Sequence, residues 1–203
     1  MTKTDILMAE IEEASRIAKA GEDMPLVGGP IGLMWGILIT GVLAIHYMII
    51  TQLISIPLQS LNFLWLGFAI LGGAGSVILG QKADKKPGAN TTANKVEQYV
   101  WTMFAAAMGS MAVGVILNLI LGGGSYTSWA FMLVAGFAGQ GVAYGVVAKL
   151  TGHGWLHFAA FASFTMAAVA MSFFGQNIIY LIAAIGSFVT VVIPSLLSMK
   201  AEK

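Results

Sequence analysis

Three histidines are the chain's only imidazoles and it has no cysteine, so any metal or nucleophilic chemistry would rest on them, on carboxylates or on hydroxyls. His153 and His157 stand four residues apart in the stretch Lys-Leu-Thr-Gly-His-Gly-Trp-Leu-His-Phe, positions 149–158. On a continuous helix that spacing puts two imidazoles on one face, a common half of a metal site. Gly154 between them favours a break instead, and no carboxylate or thiolate stands nearby to complete a ligand shell. The stretch reads as a tight turn. His46 lies alone in a separate apolar run, roughly 20 Å from His157 along the membrane normal at 1.5 Å per residue, too far to share an ion. Paired catalytic carboxylates, Ser-His-Asp arrangements, HExxH sequences and phosphate-cradling glycine loops are all absent. Twelve methionines sit at ordinary apolar positions, and Met103, Met108 and Met111 read as packing rather than as copper ligands. The expectation is a protein that is not an enzyme and that has no metal and no cofactor.

The elements that would position these residues follow from composition. Hydrophobic residues make up 58% of 203 and charged residues only 9%, against roughly 25% in soluble domains. A net charge of +1 gives no footprint for nucleic acid. About 20 apolar residues carry a helix across the hydrocarbon core, and six segments qualify without a charged residue in their interiors: Ile31 to Ser55, Leu61 to Gly80, Tyr99 to Leu121, Trp129 to Leu150, Trp155 to Phe174 and Ile178 to Met199. These runs are continuous rather than alternating, which excludes a β-barrel. The fold class is all-α, a polytopic bundle of six transmembrane helices. The first span lacks a short basic leader and cleavage site and is expected to be retained.

Orientation follows from the basic residues. Lys3, Arg16 and Lys19 precede the first span, Lys82, Lys85, Lys86 and Lys95 lie between the second and third, Lys149 closes the fourth, and Lys200 and Lys203 form the tail over 200–203. All ten fall on one side, while the connectors near 56–60, 122–128 and 175–177 carry no charge. Both termini are therefore expected in the cytoplasm.

Residues 1–21 read as a cytoplasmic amphipathic helix with Leu7, Ile11, Ala14 and Ala18 as its apolar stripe and its acids first, which suits the helix dipole. That stripe is a candidate docking face for a partner. Pro25, Gly28, Gly29 and Pro30 mark a hinge over 22–30. Within the spans, small residues recur every four positions, including Gly72, Ser76 and Gly80 in the second, and two series in the fourth, Ala135, Gly139 and Ala143, and Gly141 and Gly145. In lipid such stripes let backbones approach and drive association. The fourth span carries them around most of its circumference, as a helix with neighbours on both sides would.

A sparse polar layer crosses the middle of the spans: Thr40, His46, Ser110, Gln140, Tyr144, Thr165 and Thr190. His46, Gln140, Tyr144 and Thr165 are the candidate pocket for a small neutral or apolar molecule, a lipid or a quinone. Pro194 has no N–H, so the carbonyl near Thr190 loses its helical partner. No Asp, Glu, Lys or Arg lies in the interior, which argues against ion-coupled transport and charge-selective conduction.

Three hairpins are the layout of the mitochondrial carriers, but their Pro-x-acid-x-x-base signature is missing here. The acidic helix, the Gly/Pro hinge, the Trp35-Gly36 pair opening the first span and five further helices with tiny outer loops resemble a group of small six-helix bacterial inner-membrane proteins of uncharacterised activity. That resemblance implies the bacterial cytoplasmic membrane as location. Functionally the sequence favours a membrane interaction or scaffold protein, a homo-oligomer or the holder of a membrane-protein partner, with a facilitator or receptor at the polar layer as the alternative.

Overall fold

The computed structural model describes residues 5–13, 25–122 and 127–201. All regular structure among them is helical. Seven elements follow a short helix over residues 5–13: α1 (Gly29–Ile50), α2 (Ser60–Ala83), α3 (Thr92–Leu121), α4 (Thr127–Thr151), α5 (Leu156–Ser172), α6 (Ile178–Ser187) and, after one π-helical turn at Phe188–Val192, α7 (Ile193–Ala201). Five helical runs are long and apolar enough to cross a membrane: Gly29–Ile50, Ser60–Ala83, Thr92–Leu121, Ser128–Thr151 and Ile178–Lys200. At 17 residues, α5 is shorter than these.

Two helix ends depart from the hydropathy boundaries, each for a local reason. α1 stops at Ile50, five residues before Ser55, although Leu53, Ile54 and Ile56 keep the sequence apolar. Gln52 adopts a left-handed φ of 58°, and the Leu53 and Gln52 N–H groups donate back to Met48 O at 2.9 Å and Ile49 O at 3.1 Å. This is a Schellman closure, which consumes the last carbonyls and reverses the chain. α3 begins at Thr92 rather than Tyr99 because Thr91 caps it, its hydroxyl accepting from the Asn94 N–H at 3.4 Å. Thirty residues extend about 45 Å, well beyond a hydrocarbon core of about 30 Å, so polar turns lead into the apolar run.

Packing centres on α1, which contacts α2, α6, the π turn and α7; α4 lies between α3 and α5, and α5 continues onto α6. Two apolar cores result. One, at the lysine-bearing end, joins Leu26, Ala93, Tyr144, Val147, Leu156 and Ala160. The other, at the uncharged end, joins Leu43, Ala130, Phe137, Ala170, Ile179 and Ala183. Close approach explains the glycines between them. A methyl on Gly36 would stand 2.8 Å from a Val192 methyl, and one on Gly72 would overlap the Trp35 ring. Ser76 accepts the Trp35 indole N–H at 2.9 Å beside it.

The other small residues of interest divide. Gly139 faces the Phe104 ring of α3, while Gly141 and Gly145 face Phe164 and Ala160 of α5. α4 therefore uses small residues on two sides at once. Gly80 has open space around it.

Candidate functional site

The polar groups of the spans occupy three levels. Nearest the uncharged end, His46 is buried and its Nδ1 accepts the Trp65 indole N–H at 3.0 Å. An imidazole that accepts at Nδ1 carries its proton on Nε2 when neutral. The ring stacks on Tyr180, with centroids 3.9 Å apart and planes at 14°. Trp65 in turn lies parallel to Trp129 at 6.4 Å and edge-on to Phe68 at 5.5 Å. Four elements thus meet in one aromatic cluster around a single imidazole: α1 brings His46, α2 Trp65 and Phe68, α4 Trp129 and α6 Tyr180.

The middle level is built on Pro194. Lacking an N–H, it leaves the Thr190 carbonyl without its partner one turn on, and the helix widens so that the Ile193 N–H reaches back five residues to Phe188 O. Such π turns relieve an interrupted ladder and re-aim the helix that follows. Gln140, projecting from α4, fills the gap: its Nε2 donates to Thr190 O and to Thr190 Oγ1, each at 3.0 Å. The threonine hydroxyl passes its own proton to Gly186 O at 2.9 Å. All of these groups are buried, where an unpaired amide or carbonyl would be costly. Tyr180 and Thr190 are ten residues apart in one helical run, so this level lies about 15 Å from His46 along the bundle.

At the lysine-bearing end, Tyr144 packs edge-on against Trp101 at 4.9 Å in the core that includes Leu26. The part of the expected hinge that is described, from Pro25 onward, is held by α3. Asn94 Oδ1 accepts the Val27 N–H at 2.8 Å, and its amide nitrogen donates to Pro25 O at 3.1 Å and Gly88 O at 3.0 Å. The Gly28 N–H donates to Glu97 Oε2 at 3.2 Å, setting a carboxylate at the amino end of α1, where free N–H groups and the helix dipole favour negative charge. Ser198 of α7 adds a bond to Leu26 O at 3.4 Å.

Of the four residues expected to share a pocket, His46 belongs to the aromatic level and Gln140 to the middle level, while Tyr144, one turn from Gln140 on α4, packs into the lysine-bearing core. Thr165 is exposed and donates to its own helix at Phe161 O, 2.9 Å away. Ser110 does likewise with Ala106 O at 2.9 Å. Thr40 Oγ1 is buried with no hydrogen-bond partner. His153 and His157 occupy the turn between α4 and α5, reversed by Gly152 at φ 75°, and each sets Nδ1 near a local carbonyl, Thr151 O at 3.0 Å and Gly154 O at 2.9 Å. Among the described residues no three potential metal ligands come together. Of the docking stripe, Leu7 and Ile11 are exposed on the 5–13 helix, and Ala14 and Ala18 lie outside the described residues.

Sequence reasoning missed the Asn94 and Glu97 contacts. Asn94, three residues after Thr91 at the mouth of an apolar run, carries a capping signature, but nothing local shows that its amide also serves a segment 67 residues away. Comparison of the chain with known protein families, curated proteins and solved structures finds no match.

Proposed function

We propose that the protein is a non-enzymatic scaffold of the bacterial cytoplasmic membrane that crosses it six times, keeps both termini on the lysine-bearing cytoplasmic side and self-associates through α2 and α3. The sixth crossing is α5: its 17 residues cover about 26 Å, close to the hydrocarbon thickness. One observation carries the reading. Gln140 and Thr190 at mid-span are spent on each other, while α3 buries none of its most apolar stretch and α2 only 6% of its own.

Those two helices also leave small residues uncovered, with open space around Gly73 and Gly80 on α2 and around Gly109 and Gly114 on α3. At Gly36, Gly72 and Gly141 a glycine is where two helical elements meet closely. A second copy offering the same faces supplies the missing contact, and in lipid that close packing is the main source of attraction between helices. The 5–13 helix, with Ile6, Leu7, Met8 and Ile11 exposed, is the second docking element. The alternative, a receptor at the polar layer, is weakened because Gln140 already serves Thr190 and the His46 Nδ1 already serves Trp65.

The test is the mass of the assembly in mild detergent and in nanodiscs. Wild type is expected to form a discrete oligomer that Gly109→Leu and Gly114→Leu together reduce to a monomer. A monomeric wild type at all accessible concentrations overturns the proposal.

A further inference from the structure

The π turn that Gln140 secures does more than relieve Pro194. α6 and the turn pack on both α1 and α5; past the turn, α7 stays on α1 and parts from α5, with Gly29 and Gly32 closing on Met199 and Ser195. The divergence opens a wedge of about 350 Å³ between α5 and α7, lined by Trp155, Phe158 and Ala162 on one wall and by Val189, Ile193 and Leu197 on the other. Phe158, Ile193 and Leu197 are exposed along it, so the wedge opens sideways, where the acyl chains lie. Its walls are apolar and offer an acyl chain contact on both sides.

A cation stands beyond one end of it. Ile193, Leu197 and Lys200 follow one another at spacings of four and three residues, so the lysine continues the same helix face one turn beyond the wall. Trp155 stands at the same end with its indole N–H, a donor without acceptor capacity. Between Glu97 and Glu202 the chain has no acidic residue at all, so nothing on α4, α5, α6 or α7 neutralises Lys200 or repels an anion there.

The geometry points to a binding site for one anionic glycerophospholipid, with an acyl chain in the α5–α7 wedge and the phosphate between Lys200 and the Trp155 indole. Basic pockets between helices at the membrane surface recognise such headgroups. A peptide would find a single indole N–H for its backbone in that wall, and a zwitterionic lipid would bring a cation to Lys200.

Native mass spectrometry of the full-length protein, titrated with phosphatidylglycerol or phosphatidylcholine of identical chains, tests this. Wild type should hold one phosphatidylglycerol about five-fold more tightly, the factor set by one lysine near an anionic headgroup. Lys200→Gln should abolish that preference, and Lys95→Gln, on α3, should leave it intact. Ala162→Phe, which fills the wedge, should remove the tightly held lipid of either class. A second reading needs no change to the wedge's walls beyond its reporter: phosphatidylglycerol with brominated chains should quench tryptophan fluorescence, and Trp155→Phe should remove that quenched component. Equal retention of the two lipids by wild type, an equal loss in Lys95→Gln and Lys200→Gln, or quenching undiminished in Trp155→Phe overturns the assignment.

Discussion

The run from Ile178 to Lys200 and helix α3 are both apolar enough to span a membrane, yet half of the most apolar window of the first is buried inside the bundle and none of the second. Hydropathy makes them equivalent, with mean values of 2.2 and 2.1 over those windows. The difference lies in what the small residues face. Gly36 meets Val192, whereas Gly114 meets nothing. In water an uncovered apolar helix would be a defect; in lipid it costs little, because acyl chains solvate leucine as well as another helix does. Burial inside the bundle is therefore not forced by apolarity, and it marks the helices whose positions are fixed by shape and by hydrogen bonds. The two regions should respond in opposite ways to the same substitution. Gly36→Leu drives a side chain into Val191 and Val192 of the π turn and should destabilise the fold by about 3 kcal/mol, at the upper end of overpacking costs. Gly114→Leu should change the stability of the monomer by less than about 0.5 kcal/mol. Reversible unfolding in mixed micelles under monomeric conditions measures both, and equal costs would erase the distinction.

Within the fixed region, the bent run is held by a polar device that α3 lacks. Gln140→Leu deprives Thr190 O of its only donor from α4 and should cost about 2 kcal/mol, the penalty of stranding a buried carbonyl. The bend itself supplies the control. Pro194→Ala restores an N–H to the ladder, so the same Gln140→Leu change made in that background should cost about 1 kcal/mol less. Simple additivity of the two substitutions would mean that Gln140 serves some purpose other than the carbonyl freed by Pro194.

Much of this architecture is legible in the sequence, and the illegible parts share a cause. The helical class and the five long apolar helices can be read because crossing lipid requires a long, uncharged helix whatever surrounds it. The freed Thr190 carbonyl follows from Pro194, and Gln140 stands out as an amide among apolar residues, yet their bond joins helices 50 residues apart and leaves no local pattern. The end of α1 is hidden for a similar reason. Hydropathy continues past Ile50, and only the left-handed Gln52, a residue with no strong preference for that conformation, stops the helix. His46 is visible as an isolated imidazole, but its partners Trp65 and Tyr180 look like ordinary interfacial aromatics until the helices are placed.

The connector into α1 is a third point of contrast, since α3, unburied along its most apolar stretch, is anchored there at its first turns. Asn94→Ala removes the acceptor of the Val27 N–H and the donor to Pro25 O. Because this end lies near water, which can replace part of the loss, the expected cost is about 1.5 kcal/mol. Hydrogen exchange at Val27 and Gly28 should accelerate, while the amides of residues 178–187 keep their protection. Acceleration at both places would show that the clamp is one unit with the buried run rather than a separate tie.

The smallest effect concerns α2, the other sparsely buried helix. Its packing rests on Trp35 over Gly72 toward one end and on the Trp65 bond to His46 at the other. Trp65→Phe keeps an aromatic ring near Trp129 and Phe68 and deletes the hydrogen bond, which within membranes is worth about 0.6 kcal/mol on average. Although small, the change should be localised: the first turns of α2 loosen, while His46 stays stacked on Tyr180 within the buried region. Nitrogen NMR of His46 gives the clearest readout, because losing the indole N–H changes the environment of Nδ1 and leaves the stacking in place. If His46 also left Tyr180, the imidazole would be held by α2 rather than by the core, and the boundary between the tightly packed and sparsely packed regions would have to be redrawn to include the start of α2.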